Sequence, residues 1–204
     1  MKLRRLYGFL LKIPSHVYEP SDDSFLLAEN LKLSGGETVL DMGCGSGLLT
    51  LLAARKASLV VAVDINPEGV KATAENVKAN GFAGKVELVV GDLFSAFRRG
   101  ELFDLVIFNP PYLPVEEEDQ LGRAWSGGPT GREVIDRFLS EVKGRLKPRG
   151  KILLVQSTLS NVSETVRVLE ASGFNVRVLG RKQLFFEELF CLEAELTGCQ
   201  TLEG

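Results

Sequence analysis

The chain has 204 residues, 45% of them hydrophobic and 25% charged, with a formal net charge of −3. That length and apolar content suit a single domain, residues 1–204, with a full hydrophobic core. The acidic balance disfavours a nucleic-acid partner, and no apolar run reaches the ~18–20 residues that a membrane-spanning helix requires.

Residues 1–16 form an amino-terminal extension in which Lys2, Arg4, Arg5 and Lys12 surround Leu and Phe. Its apolar centre is short and no small-residue cleavage site follows, so a segment packed on the body is expected rather than a secretion signal or a membrane-surface helix. Residues 23–33 read as a helix. A short strand at 38–41 leads into Met42-Gly43-Cys44-Gly45-Ser46-Gly47, and then an apolar helix at 48–56. Alternate glycines after a strand let the backbone approach a ligand more closely than any Cβ allows. The spacing is G-x-G-x-G. Leu48 stands where a dinucleotide fingerprint needs glycine, and no Lys-Ser or Lys-Thr follows, so a P-loop is excluded as well. Asp41 would repel a pyrophosphate but attract an ammonium group.

A second strand at 59–64 ends in Asp64, placed to accept hydrogen bonds from both hydroxyls of a ribose. Its ordinary alternative is to cap the helix at 67–80, which Pro67 opens and Asn80-Gly81 closes. A third strand at 86–90 leads to Gly91-Asp92-Leu93, where Asp92 and neighbouring amides could read an adenine or simply form a turn. A fourth strand, 103–108, ends in Asn109-Pro110-Pro111-Tyr112. Two prolines hold that backbone rigid and present the Asn109 amide and the Tyr112 ring at a strand's carboxyl end, where α/β sheets bind ligands. The Asn109 side-chain oxygen and the Pro110 carbonyl can accept both protons of a planar NH2 group, on which Tyr112 can stack. An amino-acid end, a ribose, an adenine and a reactive group near Asn109 together describe S-adenosylmethionine.

The segment 109–130 lacks periodicity, which in a compact domain suggests a function. It contains the acidic run Glu116 to Asp119 and then Trp125-Ser126-Gly127-Gly128-Pro129. A solvated loop is the expected reading of the run. Trp125 is a candidate lid over the substrate, hinged on the glycines and anchored by Arg132 and Glu133. A helix at 131–146, a fifth strand at 151–155 and a helix at 162–172 follow. Two last strands, 174–179 and 188–196, precede a frayed tail, 197–204. The alternation predicts an α/β fold: a seven-stranded, mostly parallel sheet with helices on both faces. Three cysteines without metal-ligand spacing suit a reducing interior and suggest no metal site.

These motifs resemble the class I, Rossmann-like S-adenosylmethionine-dependent methyltransferases, and within them the HemK-type protein-glutamine methyltransferases that carry N-P-P-Y. Residues 17–27 (VYEPSDDSFLL) and 124–137 (AWSGGPTGREVIDR) look like signatures of the archaeal and eukaryotic branch. The few residues ahead of Val17 leave no room for the helical domain of bacterial relatives. The resemblance implies that Ser24, Asp41, Gly43 and Gly45 hold the cofactor's amino-acid end. It implies that Asp64 binds the ribose, that Asp92 and Leu93 frame the adenine, and that Asn109 lies between cofactor and substrate. Relatives most often carry Thr at position 24 and often Glu at 41, and both exchanges keep the hydrogen-bonding group. The last two strands should be an antiparallel pair. The implied substrate is the glutamine of the Gly-Gly-Gln loop in a class I translation release factor. Rivals are a protein lysine, an adenine in nucleic acid, or a non-catalytic cofactor-binding scaffold. A small zinc-binding activator subunit beside the third strand and a cytoplasmic location are also implied.

Overall fold

The computed structural model describes residues 1–100, 102–115 and 122–197. A hairpin of β1 (Lys2–Leu6) and β2 (Phe9–Ile13) comes first, then α1 (Asp22–Asn30), β3 (Thr38–Met42), α2 (Leu48–Ala54), β4 (Leu59–Asp64), α3 (Pro67–Ala79) and β5 (Val86–Val90). The second half contains β6 (Phe103–Phe108), α4 (Glu133–Val142), β7 (Leu146–Ser157), α5 (Val162–Ala171), β8 (Phe174–Gln183) and β9 (Glu188–Leu196). The large sheet has seven strands in the order β5-β4-β3-β6-β7-β9-β8. The strands from β5 to β7 are parallel, and β9 runs antiparallel between β7 and β8.

Side-chain alternation explains why helices cover both faces. Val39, Val60, Ala62, Leu105 and Ile107 point into one core with Leu27 of α1, Leu51 of α2 and Val77 of α3. Their neighbours Leu40, Val61, Val63, Val106 and Phe108 point into the other, against Ile135, Phe138 and Val142 of α4 and Leu169 of α5. Strands buried on both sides need continuous apolar runs, and these strands have them.

The amino-terminal segment packs on the body, as expected, but as a hairpin. Tyr7 and Gly8 both have positive φ (49° and 87°), the conformation of the tight turns that suit strand twist. Phe9, Leu11 and Ile13 turn inward, and the Asn76 side chain of α3 both accepts from the Lys12 N–H at 2.8 Å and donates to the Lys12 carbonyl at 2.9 Å. Other boundaries shift for local reasons. Helix α4 begins two residues after position 131 because Gly131 is left-handed (φ 70°), and it ends in a 3-10 turn at Lys143–Arg145. Strand β7 starts earlier than residue 151, with a register break opposite Phe103 and Leu105. Strand β5 stands at the open edge, with Val90 exposed.

Among the described residues no helix is long and apolar enough to cross a membrane. The acidic run 116–119 lies outside the described residues. The rest of that segment is tied to itself: Leu113 N–H donates to the Trp125 carbonyl at 2.9 Å, and Gly127 N–H to the Leu113 carbonyl at 2.8 Å.

Candidate active site

The carboxyl ends of β3, β4, β5 and β6 surround a cavity of about 350 Å³. Seven of the residues singled out from the sequence line it: Ser24, Gly43, Gly45, Asp64, Asp92, Leu93 and Asn109. The glycine loop turns from β3 into α2 with positive φ at Gly43, Gly45 and Gly47 (71°, 52° and 83°). Only the first two face the cavity. Gly47 is required by packing instead, since a Cβ there would stand 3.0 Å from Thr73 of α3.

Asp64 clamps this loop. One carboxylate oxygen accepts from Gly45 N–H and the other from Asn66 N–H, both at 2.8 Å. Burial raises its pKa, while the amide hydrogen bonds oppose that shift. It does not cap α3: the Asn66 side chain does so, accepting from Glu68 N–H at 3.0 Å. Asp92 is a turn residue and more. Its backbone pairs with Ser95, and its carboxylate meets the Arg137 guanidinium of α4 at 2.6 Å. Leu93 beside it is buried with φ 48°, a left-handed conformation that costs a branched residue ~1 kcal/mol or more.

Asp41 differs from expectation. It is 1% exposed and does not line the cavity. The Thr50 hydroxyl donates to one carboxylate oxygen, and the other is buried without a partner among the described residues. Burial pushes its pKa up to about 7. Such a group is not satisfied by the protein alone, and a nearby positive charge would relieve it.

The double-proline corner divides two spaces. Pro111 faces the first cavity, whereas Pro110, Tyr112 and Trp125 face a second of about 240 Å³; Tyr18 and Ala124 border both. Tyr112 therefore does not stand in the first cavity. Its hydroxyl donates to Asp23 at 3.2 Å, as the Tyr18 hydroxyl does at 2.9 Å. Burial, then the Asp23 charge, holds both phenols well above the usual tyrosine range. Both stay protonated donors. Asn109 sits at the divide: its Nδ2 donates to Ser24 Oγ at 3.5 Å, and its Oδ1 is buried with no partner among the described residues.

Sequence reasoning missed Asp23. It is 4% exposed and also receives the Ser24 N–H and hydroxyl, so it ties α1 to the proline corner. A signal was present: Asp23 precedes Leu26 and Leu27 by three and four positions, which puts it on the apolar face of α1. The lid anchors also read differently. The Arg132 guanidinium donates to the carbonyls of Ser160 and Asn161, both at 2.8 Å, and to the Thr165 hydroxyl at 3.0 Å, which fixes α4 to α5. The glycines below Trp125 are spacers rather than hinges. A Cβ on Gly131 would fall 2.3 Å from the Tyr112 carbonyl, and one on Gly128 2.3 Å from the Glu133 carboxyl group.

Sheet order, glycine loop and carboxyl-end cavity define a class I, Rossmann-like methyltransferase domain. Residues 19–186 match the family model described as the methyltransferase small domain. The chain is 40% identical over 192 residues to a Methanocaldococcus jannaschii protein named, provisionally, a protein N5-glutamine methyltransferase, covering 92% of this chain and 95% of that one. It is 37% identical over 173 residues to human methyltransferase HEMK2, covering 78% and 80% respectively. The solved E. cuniculi Mtq2–Trm112 complex, described as responsible for methylation of the translation termination factor eRF1, superposes with a TM-score of 0.74 at 28% identity, covering 89% of this chain and 99% of that chain. The chain belongs to the methyltransferase small-domain family, and within it to the HemK type.

Proposed function

We propose that the protein is an S-adenosylmethionine-dependent N-methyltransferase acting on the side-chain amide of the glutamine in the Gly-Gly-Gln motif of a translation release factor. The observation that carries this reading is the buried, unpaired Asn109 Oδ1 at the boundary between two cavities. An acceptor left unsatisfied in the protein calls for a donor from a ligand, and a primary amide supplies N–H donors. The names of the relatives support the same acceptor.

The residues present fit the cofactor. Asp41 complements a cationic amino-acid end through its charge from beneath the loop, with Ser24, Gly43 and Gly45 beside it. Asp64 keeps free lone pairs for ribose hydroxyls, and Asp92 and Leu93 frame the adenine. When bound, S-adenosylmethionine supplies a methyl group activated by its sulfonium. An amide nitrogen is a poor nucleophile because its lone pair is delocalised, so orientation carries most of the catalysis; effective molarities for well-oriented groups reach ~10⁵–10⁸ M. Asn109 Oδ1 and the Pro110 carbonyl hold the NH2 group, and these fixed dipoles need no reorganisation. Tyr112, pinned by Asp23, keeps the corner in place, and Trp125 walls the acceptor side. Cys44 takes no part, because burial pushes its thiol well above the usual range.

Asp22, Asp23 and Glu187 line the second cavity, which gives a protein lysine as the second reading. Strand β5, an edge ending in exposed Val90, suits a small zinc-binding activator subunit, and the similar structure, a complex of Mtq2 with Trm112, supports the existence of a partner chain. A cytoplasmic setting follows from a translation-factor substrate. The test is methyl transfer from labelled cofactor to a release factor, lysine peptides and DNA, with and without the activator. The glutamine of the release factor should be labelled. Asn109→Ala should reduce transfer about 10²–10³-fold, the order seen on losing a preorganised polar contact, while cofactor affinity stays within about threefold. Near-normal turnover in that variant would remove Asn109 from the reaction.

A further inference from the structure

The turn between β8 and β9 carries two large aromatic residues at its tip. Leu184 N–H donates to the Glu187 carbonyl at 2.8 Å. Phe185 and Phe186 therefore hold the two central positions, where Gly, Asn and Asp are usual. Both rings face solvent, 91% and 85% exposed, and pair edge-on with centroids 4.5 Å apart. Neither phenylalanine has a positive φ, so the backbone tolerates them without calling for them, and adjacent exposed aromatics mark contact surfaces.

The flanks of the same turn face inward. Leu184 and Glu187 line the second cavity with Tyr112 and Trp125. One Glu187 carboxylate oxygen, Oε2, is buried and has no hydrogen-bond partner among the described residues. Its charge contributes to the raised pKa of Tyr112, which places it near the proline corner. The turn is also preformed: the Gln183 amide donates to the carbonyls of Leu184 and Glu187 at 2.9 and 3.1 Å, and Glu188 N–H to the Thr158 hydroxyl at 3.1 Å.

We propose that the 184–187 turn reads the protein substrate: Glu187 accepts a hydrogen bond from an N–H of the chain entering the second cavity, while Phe185 and Phe186 pack on that chain at the mouth. The proposal rests on the acceptor site described above and adds a specificity element to it. A free amide or amino acid could fill the cavity but could not touch the two rings as well. A polypeptide spans both. Nucleic acid is disfavoured because its phosphates would meet the carboxylates of Asp22, Asp23 and Glu187.

The test compares steady-state kinetics of the full chain, with activator, on an intact release factor and on a short peptide carrying the Gly-Gly-Gln motif. Phe185→Ser/Phe186→Ser changes only exposed side chains. It should raise KM for the release factor about tenfold or more, as expected for lost aromatic anchors, with kcat and cofactor Kd unchanged. Glu187→Gln should raise KM about tenfold on both substrates, as expected for a hydrogen bond to a charged group. Unchanged KM in both variants, or a fall in kcat alone, would overturn the proposal. If the unmodified protein labelled a lysine substrate and not the release factor, the glutamine reading would fail, and the same variants measured on that lysine protein would still decide the role of the turn.

Discussion

Asp41 concentrates the electrostatics of this molecule in one side chain. Its ordinary pKa of 3.8 rises to about 7 because the carboxyl is buried, with Asp64 adding repulsion. The folded state therefore holds a proton that the unfolded chain releases, and stability falls as pH rises from about 4 to about 7. Asp64, shifted in the same direction, adds to the slope. The Tm of the ligand-free protein should drop across that window, and Asp41→Asn should flatten the drop. A cation beside Asp41 reverses the preference, since it favours the ionised carboxyl. Cofactor affinity should thus strengthen as pH rises toward about 7 and level off above it, and lose that dependence in Asp41→Asn; calorimetric titration at several pH values checks both. Asn109 is the complementary case, a neutral group whose side-chain oxygen is buried without a partner among the described residues.

Arg132 joins elements rather than charges. Its ion pair with Asp136 involves a half-exposed carboxylate and is worth little. Its bonds to Ser160, Asn161 and Thr165 satisfy groups near the start of α5. Arg132→Ala removes these charge-assisted bonds, although the Ser160 carbonyl keeps the Gln156 amide and the Asn161 carbonyl keeps Glu164 N–H. It should cost about 2 kcal/mol of stability, read as a lower urea midpoint at unchanged m-value. The glycine turn ahead of α4 works by close contact with the proline corner. Gly131→Ala would press a methyl group into the Tyr112 carbonyl, so turnover should fall more than cofactor affinity. Trp125→Ala removes a wall of the second cavity. KM for the protein substrate should rise several-fold while cofactor Kd changes less than about twofold, and unchanged methylation kinetics would discard that role.

For the whole molecule, the decisive feature is an open sheet whose two edges are β8, paired antiparallel to β9, and β5. Open edges present unpaired backbone groups and invite another chain. If the proposed activator subunit docks at this edge, Val90→Lys should abolish their association in size-exclusion and calorimetric measurements. It should shift the stability of the isolated chain by less than about 0.5 kcal/mol, since Val90 is already exposed.

Local chemistry made much of this legible beforehand. The strand at 86–90 and the last strand at 188–196 lie where composition and periodicity placed them, because apolar runs bounded by Gly and polar residues have few other ways to fold. The glycine spacing, Asp64 and the Asn109 corner were visible for the same reason: each is a short-range backbone requirement written in adjacent residues. What only the tertiary structure decided concerns groups distant in sequence. Asp23 meets Tyr112, the turn at 184–187 reaches the same cavity, and Asp41 sits beneath the loop instead of inside the site. Burial and long-range contact are properties of the packed sheet, and the order in which β6, β7 and β9 come together is what brings those groups to one place.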